Sequence, residues 1–489
     1  MPTRSALHHV GHYNALPVSG EAFFASKNGG EKKMKMIFDV ESKPKFGQLI
    51  IFAIQQMLAI MAATIAVPMI VGNGMSTAAA MFGAGVGTIV YLLFTKFRSP
   101  VFLGSSFAFI GPMLAAFAGG VSMALGYLGL IIGAAMAGLV YVIIAAVIKL
   151  AGVNWINKLM PPVVIGPTVA LIGLSLAGAA INDVFSYGAQ DGNGAFIMTG
   201  GIWASLICAL VTFAVVCLCS VYGKKMARLI PFIIGILAGY AVAAVFTIIG
   251  NYAGIDALKV IDFGVFSSYM LADGGVSLST FVSLPDFTFL TALDGVAELN
   301  AQYLATLFVA YVPVAFVVFA EHIADHKNLS SIIERDLLTE PGLHRTLLGD
   351  GVGSMVGAIF GGCPNTTYGE SVGCVAITKN ASVRTILVAA IGCILLSFIT
   401  PLVAFVDSIP GCVMGGVCIT LYGFIAVSGL KMIQKVDLED NANLFTVAAI
   451  LIPGIGGMAM AIGKVTITTI ACALILGILT NTMLSKKKD

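Results

Sequence analysis

Residues 365–373 read NTTYGESVG, and residues 104–112 read GSSFAFIGP. Aligned without gaps, Ser105-Ser106-Phe107-Ala108 falls on Thr366-Thr367-Tyr368-Gly369: hydroxyl, hydroxyl, aromatic, small. Each stretch has a proline close by, Pro112 or Pro364, and each interrupts an apolar run. The later one also carries a carboxylate, Glu370, between GVGSMVGAIF and CVAIT. Irregular backbone at membrane depth is tolerated only where it is buried in protein or lines a cavity. Two such breaks, similar in residue order, predict two half-helices that face each other across a site for a small polar solute.

The surroundings support a membrane reading. The chain has 489 residues, is 58% hydrophobic and only 10% charged, and has a mean hydropathy of +0.99. Soluble domains are about a quarter charged. Apolar runs of about 20 residues, enough to cross a bilayer core, recur along the sequence. Hydropathy places fourteen segments, the first seven near 48–71, 77–95, 101–118, 123–150, 163–183, 197–222 and 229–250. The second seven lie near 303–328, 346–361, 366–378, 383–407, 409–430, 443–463 and 466–484.

Charge orients this count. Lys43 and Lys45, Lys96 and Arg98, Lys149 and Lys158, Lys224, Lys225 and Arg228, Lys327, Arg335 and Arg345, Lys379 and Arg384, Lys431 and Lys435, and Lys486 to Lys488 fall in alternate loops. The 251–302 loop holds five Asp and one Glu against one Lys. Basic loops stay cytoplasmic, which puts both termini inside. Seven crossings per half is odd, so the halves are expected to be inverted repeats, and the fold class is an all-α polytopic membrane protein.

Other features exclude other classes. A net charge of +2 carries no message about nucleic acid, no basic cluster interleaved with aromatics appears, and no nucleic-acid partner is expected. Nine cysteines show no CxxC pair or nearby histidine, and they read as small buried hydrophobes. No HExxH or Ser/His/Asp set lies at bilayer depth, so an enzyme is not expected. Residues 1–36 are polar and lack the apolar core of a signal peptide. Gly29-Gly30-Glu31-Lys32 is what a ribosome-binding sequence spells when translated, and natural synthesis is expected to start at Met34 or Met36.

Acidic residues supply the chemistry. The eighth segment reads VVFAEHIADH, with Glu321 and Asp325 four residues apart and hence on one helix face. Carboxylates accept hydrogen bonds and suit a ligand with N–H donors. In a low-dielectric site the ionised form is disfavoured, which links ligand and proton binding. Phe107 and Tyr368 offer flat faces to a planar ring. Each residue also has a purely structural alternative. Glu321 can snorkel toward Lys327, Asp325 can pair with His326 or Lys327, and Glu370 can make a buried structural bond. Phe107 can simply pack, Gln56 can bond a neighbouring helix, and His322 and His326 can support the site without relaying protons.

At QQMLAIMAATIAVP (55–68), LGSSFAFIGP (103–112), AEHIADH (320–326), EPGLHRTLLGDGVGSMVGAIFGG (340–362) and PNTTYGES (364–371), the chain resembles the bacterial uracil permeases of the nucleobase–ascorbate transporter family. The resemblance runs from about residue 45 to the carboxy terminus. NTTYGE marks the uracil branch, whereas xanthine and urate members usually carry a Gln-Asn version.

The resemblance implies import of uracil by proton symport across the bacterial cytoplasmic membrane, with H⁺ preferred over Na⁺ and no cofactor. It implies a core domain (45–150 and 303–407), a gate domain (151–250 and 408–485), an extracytoplasmic loop (251–302) and cytoplasmic tails (1–44 and 486–489). It further implies short antiparallel strands in segments 3 and 10, and a homodimer in the lipid bilayer built through the gates. Glu321 and Glu370 would bind the base, backbone near Ala63, Phe107 and Gly369 would contact it, and Tyr368 would support the site. Proton coupling would involve Glu321, Asp325 and Gln56. Gln56 stands where many relatives have His, Asp325 where they have His or Asp, and Ser371 where Asn is common. The alternatives are a xanthine or other purine permease of the same family and, from another class, a channel. An anion carrier of this fold is disfavoured, because two glutamates would sit where the anion must.

Overall fold

The computed structural model describes residues 36–152, 161–224, 226–271, 274–462 and 465–485. The expected start at Met34, the tail before residue 36, Lys158, Lys225 and the 486–489 tail lie outside the described residues.

The described chain is mostly helical. Eight of its helices are long and apolar enough to cross a membrane: α1 (Phe46–Val71), α2 (Thr77–Phe94), α4 (Met123–Ala151), the pair α5 (Pro162–Ser175) and α6 (Ala177–Val184) taken as one span, α7 (Gly200–Tyr222), α8 (Pro231–Ala253), α9 (Ala301–Ile333) and α14 (Gly411–Ile433). Between them lie helices that are shorter or less apolar, α3 (Ile110–Ala116), α10 (Leu343–Gly361), α11 (Gly369–Thr378), α12 (Val383–Leu396) and α13 (Thr400–Asp407). The last two are α15 (Asn441–Ile455) and α16 (Thr469–Ser485).

Packing sorts these helices into two groups. In one, α2 lies along α10 and α12, α4 packs on α10 and α9, and α1 packs on α12. In the other, α14 packs on α5, α6 and α7, α7 packs on α8, and α15 packs on α5 and α16. Contact between the groups runs chiefly through α1 and α9.

Small residues let α2 and α10 touch backbone to backbone. A Cβ added at Gly83 would lie 2.4 Å from the Gly357 carbonyl oxygen, and one at Gly87 would lie 2.7 Å from that of Gly353. With no hydrophobic drive between helices in lipid, such close approach is what van der Waals packing requires.

Two strands cross inside the first group. β1 (Leu103–Ser105) and β2 (Asn365–Thr367) pair antiparallel, with Leu103 opposite Thr367, Gly104 opposite Thr366 and Ser105 opposite Asn365. The strands expected in segments 3 and 10 are therefore present. Leu103 N–H donates to Thr88 Oγ1 at 2.9 Å, and Asn365 Nδ2 donates to the Gly83 carbonyl at 3.1 Å. Both strands are thereby tied to α2.

Two sequence boundaries differ from the structure. The segment expected at 383–407 is broken, because α12 stops at Leu396 and α13 starts at Thr400. Pro401 has no N–H to continue a helix. The 251–302 loop occupies the gap, with Ser283 N–H donating to the Phe398 carbonyl at 3.0 Å and Thr400 N–H to that of Phe281 at 3.1 Å. Near the end of the chain, the segment expected at 443–463 is helical only to Ile455. Strand β3 (Met460–Ile462) then pairs antiparallel with β4 (Val465–Ile467) before α16.

Candidate functional site

The site forms where the β1–β2 crossing meets α9. After β2 the chain turns at Tyr368 and enters α11 at Gly369, with no side chain capping the helix. After β1 it turns at Ser106, again without a side-chain cap, into a 3₁₀ turn (Phe107–Phe109) and then α3. The first turn of a helix has N–H groups without intrahelical partners and the positive end of the dipole. An uncapped start at Gly369, itself exposed, offers both to a ligand.

Tyr368 holds this geometry. Its ring lies where a Cβ on Gly104 would be, 2.3 Å away, so only glycine fits opposite it. Its hydroxyl donates to the Ser105 carbonyl at 2.7 Å, and the residue is 4% exposed. Tyr368 thus locks one crossing strand to the other and is itself covered.

The acidic residues converge on the α11 start. Glu321, Asp325 and Glu370 are each half-buried. α9, which carries Glu321 and Asp325, packs on α11, which carries Glu370, and on α10, which carries Asp350. Thr367 Oγ1 donates to Asp325 Oδ2 at 2.8 Å, and a Cβ on Gly369 would lie 3.8 Å from Asp325 Oδ1. Asp325 therefore pairs with the crossing strand, whereas an interfacial bond to His326 or Lys327 was its structural alternative. The buried hydroxyls of Ser106 and Thr366 have no hydrogen-bond partner among the described residues.

Phe107 is half-buried and meets Tyr422 of α14 edge-on, with centroids 6.1 Å apart and planes at 78°. This contact joins the two helix groups beside the site. Ala63 is 1% exposed and packs with Leu103, Tyr368 and Val372. The Ala63 side chain is therefore part of the wall.

Gln56 is 2% exposed and donates from Nε2 to Ser371 Oγ, which also accepts from Phe102 N–H at 3.0 Å. Gln56 bonds a neighbouring helix, as its structural alternative had it. Two of the three positions singled out in the sequence, Gln56 and Ser371, thus touch each other.

Below the acids lies a buried polar group that the sequence reading left unassembled. His322 and Asp350 are both fully buried, with Nδ1 2.7 Å from Oδ2. Thr346 Oγ1 donates to the Leu343 carbonyl at 3.1 Å, so it accepts from His322 Nε2 at 3.0 Å. At 2.7 Å a proton lies between His322 Nδ1 and Asp350 Oδ2. The His322 and His326 rings stack at 4.1 Å. His326 Nδ1 donates to the His322 carbonyl at 2.8 Å, and its Nε2 lies 2.7 Å from the Tyr91 hydroxyl. A lone aspartate in the apolar run LLGDGVGSM was the available signal, since ionisable residues inside membrane helices are rarely idle. Tyr422 carried no such signal, because one tyrosine in an apolar helix looks like packing.

Comparison with known proteins places the chain among permeases. A model described as a permease family matches residues 47–463. The uracil permease of Bacillus caldolyticus is 38% identical over 454 residues, covering 92% of this chain and 95% of that protein. The uracil permease of Bacillus subtilis strain 168 is 35% identical over 462 residues, covering 94% and 97%. Among solved structures, the transmembrane domain of the cyanobacterium bicarbonate transporter BicA superposes with a TM-score of 0.60 at 15% identity, covering 91% of this chain and all of that one. Murine solute carrier 26 family member A9 superposes with a TM-score of 0.57 at 12% identity, covering 100% and 77%. The backbone is thus a membrane-transporter fold, and the chain belongs to this permease family together with the bacterial uracil permeases.

Proposed function

We propose that the chain imports uracil by proton symport across the bacterial cytoplasmic membrane. The observation that carries this reading is the meeting of Glu321 and Asp325, on one face of α9, with the uncapped start of α11 that bears Glu370. Uracil is planar, with N–H donors and carbonyl acceptors on its edges. Carboxylates at Glu321 and Glu370 accept from the N–H groups, and free N–H groups at the start of α11 donate to a carbonyl oxygen. Phe107 covers a ring face, and Tyr368 holds the strands from behind. The names of the relatives point to the same substrate.

Coupling follows from electrostatics. Several carboxylates within one low-dielectric site cannot all carry charge, so a proton enters with the substrate and leaves with it. Glu321 is the carrier in this scheme, Asp325 sets its field, and Gln56 holds Ser371 in place. The proposed architecture is fourteen segments in two inverted sevens. The α1–α4 and α9–α13 group acts as the core, the α5–α8 and α14–α16 group acts as the gate, and basic loops and termini face the cytoplasm. Rocking of core against gate exposes the site alternately, and gates of two copies meet in a homodimer. What supports this division is the packing of the helices into two groups, joined beside the site by the Phe107–Tyr422 contact.

The test is uptake of labelled uracil into proteoliposomes with an imposed pH gradient. Accumulation that disappears with a proton ionophore, persists without Na⁺ and is not competed by xanthine is the expected result. Passive flux without accumulation refutes the carrier reading, and competition by xanthine moves the substrate to the purines.

A further inference from the structure

A cavity of about 640 Å³ on the basic face, between the amino-terminal segment, the α2–β1 turn and the start of α12, has charges that do not balance. Its charged lining is Glu41, Lys96, Arg98 and Arg384. Arg98 is taken by Glu340, and Glu41 is taken by Arg335, whose guanidinium holds the Glu41 carboxyl below the ordinary range. Lys96 and Arg384 are exposed, and neither has a carboxylate within ion-pair reach among the described residues. Two cations therefore face one cavity uncompensated.

The apolar part of the site has a direction. From Arg384, α12 presents Val388, Ile391 and Leu395 at helical spacing, so all four lie on one face. Val388 lines the cavity itself, while Ile391 is 42% exposed and Leu395 62% exposed beyond it. A basic mouth continued by an apolar stripe along one membrane helix matches an amphiphile with an anionic head and a long tail. A free anion leaves the stripe unmatched. A zwitterionic lipid brings an ammonium that cancels its phosphate and so supplies no net negative charge, whereas basic side chains near a membrane surface attract anionic headgroups.

We propose that this cavity holds the phosphate of one anionic phospholipid between Lys96 and Arg384, with an acyl chain laid along the Arg384–Leu395 face of α12. The site is separate from the proposed substrate site and does not depend on what the protein carries.

The experiment titrates the full-length protein in detergent with phosphatidylglycerol and counts bound lipids by native mass spectrometry. Phosphatidylcholine and inorganic phosphate serve as the other probes. One phosphatidylglycerol should bind more tightly than the rest. Lys96→Gln with Arg384→Gln should weaken it about thirtyfold, and each single change about fivefold. Lys96→Arg with Arg384→Lys should restore it, while Lys43→Gln with Lys45→Gln on the same face should leave it unchanged. The substituted side chains are exposed, so melting temperatures should match, and the single variants provide the reading should the double one fail to fold. Equal retention of the lipid by the Gln variants, equally tight phosphatidylcholine, or displacement by millimolar phosphate overturns the proposal. The last outcome would leave a simple anion site.

Discussion

The two broken segments share a plan and differ in what they put at its centre. Both run strand, turn, helix, and both strands belong to one antiparallel pair. In the alignment of Phe107 with Tyr368, the position matching Glu370 is Phe109. Glu370 is half-buried at an uncapped helix start, whereas Phe109 is 2% exposed and stacks on Tyr311 with centroids 5.7 Å apart. The aromatic of the first pair, Phe107, borders the site, and that of the second, Tyr368, is buried as a brace. One half thus contributes an acid at the helix start and the other a buried aromatic. Similar backbone does not require similar side-chain chemistry.

That contrast can be broken at its most apolar point first. Phe109→Ala should cost about 3–5 kcal/mol of stability, the usual loss for a buried aromatic, read as a lower melting temperature in detergent. Glu370→Gln should do the opposite. Folding should be retained while uracil binding falls roughly a hundredfold, since hydrogen bonds to charged groups contribute about 1.5–3 kcal/mol. Isothermal titration and uptake both report it, and an unchanged affinity would end the distinction between the two halves.

The brace comes next. Gly104→Ala drives a methyl into the Tyr368 ring and should cost about 1–3 kcal/mol, and Tyr368→Phe about 1 kcal/mol through loss of the Ser105 bond. Both are thermal-shift measurements. For Gln56 and Ser371, a double-mutant cycle with Ala at each should show a coupling of about 1 kcal/mol in stability. Additive effects would mean that the bond does not form. The smallest change expected is Phe107→Leu, which should raise the KM for uptake about two- to tenfold with little effect on kcat, the range for one aromatic contact.

Much of this was legible along the chain. Runs of apolar residues mark membrane helices because lipid leaves no partner for an open backbone. The breaks at Ser105–Phe107 and Thr366–Gly369 showed for the same reason, since polar residues at that depth need a protected place. The i, i+4 spacing of Glu321 and Asp325 follows from helix geometry alone. Pro401 was the one local sign of the gap at Ser397–Ile399, which is held by Phe281 and Ser283 of the preceding loop. Local sequence did not mark the β3–β4 pair, which interrupts a run apolar enough to read as helix.

What the sequence determined by itself is the class of molecule, the depth of its two interruptions and which acids sit at membrane depth, because each depends on one residue and the lipid or on neighbours within a turn. What only the tertiary structure decided is pairing: Gln56 with Ser371, His322 with Asp350, Thr367 with Asp325 and Phe107 with Tyr422. These partners lie between 28 and 315 residues apart. Hydrogen bonds reach about 3 Å, so helix packing alone settles which of several eligible partners a buried polar group will meet.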